Sequence, residues 1–177
     1  MTTTQRPVAE GLFTWPPSAA AAPRLIGSEC TACGDVSFPA ATHCLRCGGE
    51  ESKERLLSDR GTLWTYTTQN FRPPSPPYDG PEAFEPYAVG YVELPGELLV
   101  EGRLTEPDPE KLRIGQQMRL TLVPYTVGAD GTEVMTFAFA PAEEFAPAEE
   151  FAPAEEFAPA EEFAPVEECA PAEEEEK

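Results

Sequence analysis

The sequence predicts a mostly β protein with a small cysteine module, a five-stranded antiparallel domain and an acidic tail. Three observations predict it. Residues 30–47 hold two C-x-x-C pairs, residues 61–140 hold five short strand-like stretches between turn signals, and the segment FAPAEE repeats from Phe139 onward. The predicted organisation is a flexible N-terminal arm (1–23), the cysteine module (24–49), a polar connector (50–60), the five-stranded domain (61–140) and a disordered repeat tail (141–177).

Four cysteines follow the spacing C-x2-C-x10-C-x2-C, and a glycine follows each pair; the cysteines are Cys30, Cys33, Cys44 and Cys47. A glycine there permits the tight turn that directs both sulfurs of a pair at one ion. Two such pairs facing each other predict a tetrahedral site of four thiolates, which is typical of structural zinc. Iron in a rubredoxin-like site suits the same geometry and is the second interpretation. A redox-active dithiol is the third and least favoured.

The predicted metal site has no room for catalysis. A catalytic zinc keeps one open position for water or substrate, and four thiolates leave none. His43 is the only histidine of the chain and sits beside Cys44, but four cysteines already complete the ligand set, so we expect an exposed histidine. The metal is therefore expected to hold together a module that is too small to fold on its own apolar core.

The five strand-like stretches cover residues 61–71, 87–94, 97–104, 118–127 and 133–140, with hairpin signals at Pro95-Gly96 and Asp130-Gly131. No long helical pattern lies between them. Five short strands of this kind predict a small closed barrel, for which the five-stranded OB-fold is the natural architecture, because closure removes exposed edges. A small β-sandwich would show a similar pattern and stays open as an alternative.

Three segments outside the strands carry aromatic side chains. Phe13 and Trp15 lie in the arm, and we expect them to dock on the body rather than on a partner. The segment between the C-x-x-C pairs, with Phe38 and Pro39 at its centre, is predicted to face a partner. The proline-rich loop 72–86 is predicted to meet either a partner or its own barrel.

The hexapeptide repeat continues as FAPVEE and CAPAEE up to residue 174. A proline every sixth residue blocks a helix, and paired glutamates repel one another, so the repeat predicts disorder. Cys169 lies within it and is expected to be a bystander thiol. A drifted tandem duplication explains the repeat more economically than an acidic interaction tail.

The charge is negative throughout. The chain carries −20 overall, and residues 1–140 hold 18 acidic against 11 basic residues. This balance disfavours nucleic acid as a partner, since phosphate-binding surfaces are basic. No apolar run reaches the ~18 residues needed to span a membrane, and paired cysteines suit a reducing cytoplasm. We identify no catalytic residues: the one histidine is in the cysteine module, and Glu50-Glu51 are expected to be solvated charges.

Several stretches together resemble the domain of unknown function 35 family of zinc-ribbon/OB-fold proteins. They are PRLIGSECTACGDVSFPAATHCLRCG, RGTLWTYTT, PYAVGYVEL, EGRLTEPDPEKLRIGQQMRL and TFAFAP, which span about residues 23–141. The four cysteines match the metal ligands of that family. The arm departs from the family, whose members often begin with a longer helical segment, and the hexapeptide tail is not a family feature.

The resemblance implies a non-catalytic accessory subunit of a thiolase-like enzyme, a thiolase or aldolase, or of a hydratase. Such enzymes act on CoA thioesters in lipid, steroid or aromatic acid metabolism, so acyl-CoA is a further implied contact. The alternative is an OB-fold module for single-stranded nucleic acid, stacking bases on Trp64, Tyr66, Phe71 and Tyr91. A stand-alone enzyme ranks last, because no nucleophile or base can be assigned.

Overall fold

A computed structural model describes residues 4–17, 21–74 and 83–142. These residues form nine strands, and no helix long and apolar enough to cross a membrane occurs among them. The strands are β1 Gln5–Pro7, β2 Ile26–Cys30, β3 Val36–Ser37, β4 Ser52–Leu56, β5 Arg60–Gln69, β6 Tyr87–Glu93, β7 Leu99–Leu104, β8 Gln117–Val127 and β9 Glu133–Pro141.

Strands β5 to β9 form the predicted barrel. They are hydrogen-bonded in the order β5-β6-β7-β9-β8, and β8 pairs back onto β5 and closes the sheet. All of these pairings are antiparallel except β7–β9, which is parallel. Closure and this strand order are those of an OB-fold, which confirms the barrel and removes the sandwich alternative.

Two β-bulges interrupt the alternation of buried and exposed residues. In β5 the register against β6 shifts between Leu63 and Thr65, and in β8 the register against β9 shifts between Pro124 and Thr126. The extra residues are Trp64 and Tyr125, and both are exposed. A bulge places two successive side chains toward the same side of a strand, which explains why strict alternation fails there.

The core fills the barrel and continues beneath the cysteine module. Its fully buried side chains include Leu63, Val92, Leu104, Met118 and Phe139 from the five barrel strands. Leu25, which directly precedes β2, and Leu57, which directly follows β4, belong to the same cluster. The module therefore rests on the barrel through shared apolar contacts.

The cysteine module contains a three-stranded antiparallel sheet in the order β3-β2-β4. Strand β4 lies in the segment predicted as a connector, and it pairs with β2 along its full length, from Ile26 opposite Leu56 to Cys30 opposite Ser52. Residues 52–56 of the predicted connector are thus a strand of this sheet. Backbone pairing, rather than an apolar pattern, makes Ser52–Leu56 a strand, since four of its five residues are exposed.

The described part of the predicted flexible arm is packed against the body. Strand β1 runs parallel to β9, and Phe13 is only 2% exposed and forms a bridge with Leu25. Phe13 also makes an edge contact with Trp15 at 6.3 Å between ring centroids. Docking of the arm on the body through Phe13 is confirmed for these residues. The repeat tail beyond residue 142 and loop residues 75–82 lie outside the described residues.

Candidate metal centre

The two C-x-x-C pairs fold into turns of the same geometry. In the first turn the amide of Gly34 donates to the carbonyl of Cys30, and in the second the amide of Gly48 donates to the carbonyl of Cys44, both at 2.9 Å. Both glycines have positive φ, 74° and 72°. Side chains other than glycine rarely adopt this conformation, so the glycine after each pair serves the turn as predicted.

The two turns bring all four sulfurs together. The Sγ atoms of Cys30, Cys33, Cys44 and Cys47 lie within 4.8 Å of one another. Two sulfur pairs join one turn to the other, Cys30 with Cys47 and Cys33 with Cys44, and the atoms of each pair are 3.6 Å apart. Disulfide sulfurs would be about 2.05 Å apart. Four sulfurs placed ~2.3 Å from one central ion would be about 3.8 Å apart, so the cluster has the size that a tetrahedral metal requires.

The backbone passes close to these sulfurs at Gly49. A Cβ atom at this position would lie 3.3 Å from the Sγ atoms of both Cys30 and Cys47. A side chain here would require the two sulfurs to move by a few tenths of an ångström. Close approach to the sulfurs, rather than backbone conformation, is the reason that glycine suits this position.

The cluster has an uneven affinity for protons. Backbone amides of Cys33 and Ala32 lower the pKa of the Cys30 thiol to about 7. At Cys33 the amide of Asp35 acts in the same direction, but the neighbouring thiols and burial outweigh it and raise its pKa to about 12. Of these two thiols, Cys30 therefore loses its proton more readily than Cys33. A bound cation favours the thiolate at all four positions, so binding releases protons and weakens as pH falls.

His43 lies outside this cluster. Its side chain is exposed, and its Nδ1 atom is 2.9 Å from the hydroxyl of Thr42. Among the described residues, the four cysteines are the one group of three or more His, Cys, Asp or Glu side chains that lie close enough together to hold a metal ion. All four donor atoms are sulfur, which suits zinc or iron. Four protein ligands complete a tetrahedral site, so no coordination position is left for water or substrate.

The segment between the turns points toward the barrel. Phe38 is half-buried and packs edge-on against Phe137 of β9 at 5.7 Å, and Phe137 packs in turn on Phe139 at 6.2 Å. The ring of Phe38 thus helps to hold the cysteine module on the barrel, and the facing of this segment toward a partner stays a prediction. Pro39 next to it is exposed.

An ionic clamp joins the module to the barrel on another side. Arg55 of β4 lies 2.9 Å from Glu29 of β2 and 3.1 Å from Glu97 in the β6–β7 hairpin. Glu97 is 8% exposed and also accepts the amide of Ser58 at 2.8 Å. Hydrogen bonds from Lys53 and then Arg55 lower the pKa of Glu29. Sequence patterning missed this clamp because its members are far apart in the chain.

The four aromatic residues proposed for base stacking differ in solvent exposure. Trp64, Phe71 and Tyr91 are exposed, and the Tyr91 hydroxyl donates to Glu101 at 2.9 Å. Tyr66 is half-buried, and its hydroxyl donates to the carbonyl of Pro109 at 3.2 Å. A carboxylate beside Tyr91 is an unfavourable neighbour for a nucleic-acid phosphate.

Comparison with known proteins agrees with this architecture. Residues 17–52 match a model described as the rubredoxin-like zinc ribbon domain of ChsH2, and residues 54–123 match its C-terminal OB-fold domain. The benzoylsuccinyl-CoA thiolase subunit BbsA of Thauera aromatica is 31% identical over 124 residues, which are 70% of this chain and 80% of that protein.

A second relative is a DUF35 domain-containing scaffold protein of Methanothermobacter thermautotrophicus, 30% identical over 119 residues, with 66% of this chain and 86% of that protein covered. Among solved structures, the Ltp2-ChsH2(DUF35) aldolase matches with a TM-score of 0.50 and 27% identity, covering 67% of this chain and 84% of the matched chain. The resemblance seen in the sequence is thereby confirmed, and this chain belongs to the DUF35 family, which joins a zinc ribbon to an OB-fold domain.

Proposed function

We propose that this chain is a non-catalytic accessory subunit of a thiolase-superfamily enzyme, a thiolase or an aldolase, or of a hydratase, that acts on CoA thioesters. The observation that carries the proposal is the similarity to a protein named as a thiolase subunit, over 80% of that protein. The match to a solved aldolase assembly supports it, and relatives named as scaffold proteins favour a role without catalysis. Lipid, steroid or aromatic acid metabolism in the cytoplasm is the proposed setting.

The architecture supports a role in assembly. A four-sulfur site has no free position for substrate once it holds a metal, so its role is to stabilise the fold of the cysteine module. The zinc ribbon, which is the cysteine module with strands β2 to β4, contacts the barrel through Phe38 and through Arg55. A rigid two-part body of this kind presents a fixed surface to another subunit, which lowers the ordering cost of association.

We further propose that Cys30, Cys33, Cys44 and Cys47 are the ligands of one structural zinc ion. Sulfur spacing supports four-thiolate coordination, and the match to a zinc ribbon model favours zinc over iron. Elemental analysis of the purified chain should give one zinc per chain. One iron per chain, with the visible absorption of a ferric thiolate site, would instead establish the rubredoxin-like alternative.

Co-expression tests the accessory role. The full chain is co-expressed with the thiolase-superfamily or hydratase enzyme encoded nearest to its own gene, and the two are separated by size-exclusion chromatography. We expect a stable complex whose activity on a CoA thioester exceeds that of the enzyme alone. A chain that stays separate and leaves the enzyme's activity unchanged would contradict the proposal.

The same preparation distinguishes the nucleic-acid alternative. A mixed-sequence single-stranded oligonucleotide is titrated into the chain at low and at physiological salt. We expect no binding at physiological salt, because 18 acidic residues oppose 11 basic ones in residues 1–140. Micromolar binding at physiological salt would favour the nucleic-acid module instead.

A further inference from the structure

A cleft on the barrel, away from the cysteine cluster, contains Arg103, for which the described residues provide no acidic partner. The cleft has a volume of about 260 Å³ and lies where β6 begins and β7 ends, beside β8 and β9. Its apolar lining comes from Pro86, Leu104, Pro107, Val123 and Ala138. Two charged side chains line it as well, Arg103 of β7 and Glu85 just before β6.

The guanidinium of Arg103 is held in place by an aromatic ring. Its central carbon lies 5.1 Å from the ring centroid of Tyr87, and this ring also packs against Phe84 at 6.1 Å. The backbone of Arg103 is fixed by pairing with Val89 of β6 and Ala138 of β9. The side chain is therefore oriented before any ligand arrives, which reduces the entropic cost of binding.

The described residues provide no carboxylate within ion-pair distance of Arg103. The contrast with Arg55 is direct, because Arg55 is also half-buried and contacts two carboxylates. A guanidinium offers five N–H donors in a planar fork that matches a carboxylate. In the Arg103 cleft these donors have no acidic acceptor among the described side chains.

We propose that the Arg103 cleft binds a small singly charged anion with an apolar body, of which an aliphatic carboxylate is the simplest example. The carboxylate pairs with the guanidinium of Arg103, and the alkyl chain lies along the prolines and Leu104. Glu85 in the same cleft repels a second negative charge, so the cleft discriminates against dianions. This site is distinct from the proposed partner role and needs no partner to be tested.

Titration of the isolated full chain with octanoate tests the proposal, followed by ¹H–¹⁵N correlation spectra. We expect saturable shifts of the amides of Tyr87, Leu104 and Thr105. Arg103→Gln should weaken octanoate binding about tenfold or more, because it removes a charge-assisted pair. Glu85→Gln should tighten binding, since it removes the repelling carboxylate. Arg113→Gln, which makes the same charge change at an exposed arginine outside the cleft, should leave binding unchanged.

Two further probes separate the parts of the proposed ligand. Neutral 1-octanol has the apolar chain without the charge, and inorganic phosphate has charge without the chain; both should bind more weakly than octanoate. Three results would overturn the proposal: no saturable shift below the micellar range, equal binding by Arg103→Gln with an otherwise native spectrum, or equal affinity for octanol or phosphate. Because no partner is present, failure here leaves the accessory role untouched.

Discussion

The ribbon and the barrel of this protein are stabilised in different ways. In the barrel, five strands close around side chains such as Leu63, Met118 and Phe139, which are fully buried. In the ribbon, strand β4 is almost entirely exposed, and the buried residues of its partner β2 are two small ones and a cysteine. The barrel can therefore rely on apolar burial, whereas the ribbon depends on its sulfur cluster and on contacts with the barrel.

The largest expected effect comes from removing one sulfur ligand. Cys47→Ser should abolish stoichiometric metal binding and unfold the ribbon, because structural zinc contributes on the order of 10 kcal/mol to modules of this size. Metal analysis and amide spectra check both outcomes. Cys169→Ser is the matched control, since it changes a cysteine of the repeat, and it should keep metal and spectrum. A Cys47→Ser chain with one bound metal and an intact ribbon would refute four-sulfur coordination.

A substitution in the barrel core should lower the stability of the protein without removing the metal. Phe139→Ala removes a fully buried ring that packs against Phe137 and fills the space above Gly102, and we expect a loss of about 3–5 kcal/mol in the free energy of unfolding. Urea unfolding measures the loss. At temperatures where the variant stays folded, its metal content should equal that of the unsubstituted chain. Loss of metal from the folded variant would show that the two regions do not differ as described.

The clamp between the two regions should have an intermediate effect. Arg55→Met leaves Glu97 at 8% exposure without its cation, and we expect a loss of about 1–2 kcal/mol, less than for a fully buried pair because Arg55 is partly exposed. Urea unfolding of the single variant and of Arg55→Met/Glu97→Gln checks this. The double variant should recover part of the loss, since glutamine can still accept the Ser58 amide. An additive double variant would argue against the clamp.

Two glycine-to-alanine variants introduce the same backbone strain, one in the ribbon and one in the barrel. Gly48 and Gly96 both have positive φ, 72° and 67°, and neither has a neighbour near its Cβ position. Alanine at either position should cost about 1 kcal/mol. Only Gly48→Ala should weaken metal affinity, measured by competition with a chelator, whereas Gly96→Ala should lower barrel stability alone. Equal effects on metal affinity would contradict local control of the sulfur turns.

The smallest effect is expected in the β8–β9 turn. The backbone amide and then the hydroxyl of Thr132 lower the pKa of Asp130, so its contribution to stability is present above the unfolded pKa and is lost as pH falls through the folded value. Asp130→Asn keeps an acceptor but does not titrate. Urea unfolding of both chains should show their stabilities converging as pH falls through the acid range. A constant difference across that range would mean that Asp130 does not titrate as described.

The sequence predicted the features that depend on local spacing. The cysteine spacing with its glycines identified all four clustered sulfurs, and alternating stretches between turn signals identified all five barrel strands. Strand β4 was missed because SKERL has no alternating apolar pattern and is held by backbone pairing and by ion pairs to Glu29. The direction of Phe38 depends on Phe137, about a hundred residues later, and no local pattern carries such information. The anion site proposed at Arg103 likewise depends on residues from distant strands, such as Val123 and Ala138, so no local pattern predicts it.

Metal removal from the full chain tests the difference between the two regions most directly. Chelation at neutral pH is followed by quantifying the released metal and recording amide spectra. The account predicts one zinc ion released per chain, loss of the native amide signals of residues 26–56 and retention of most barrel signals. Release of no metal, an unchanged ribbon after release, or simultaneous unfolding of ribbon and barrel would contradict it.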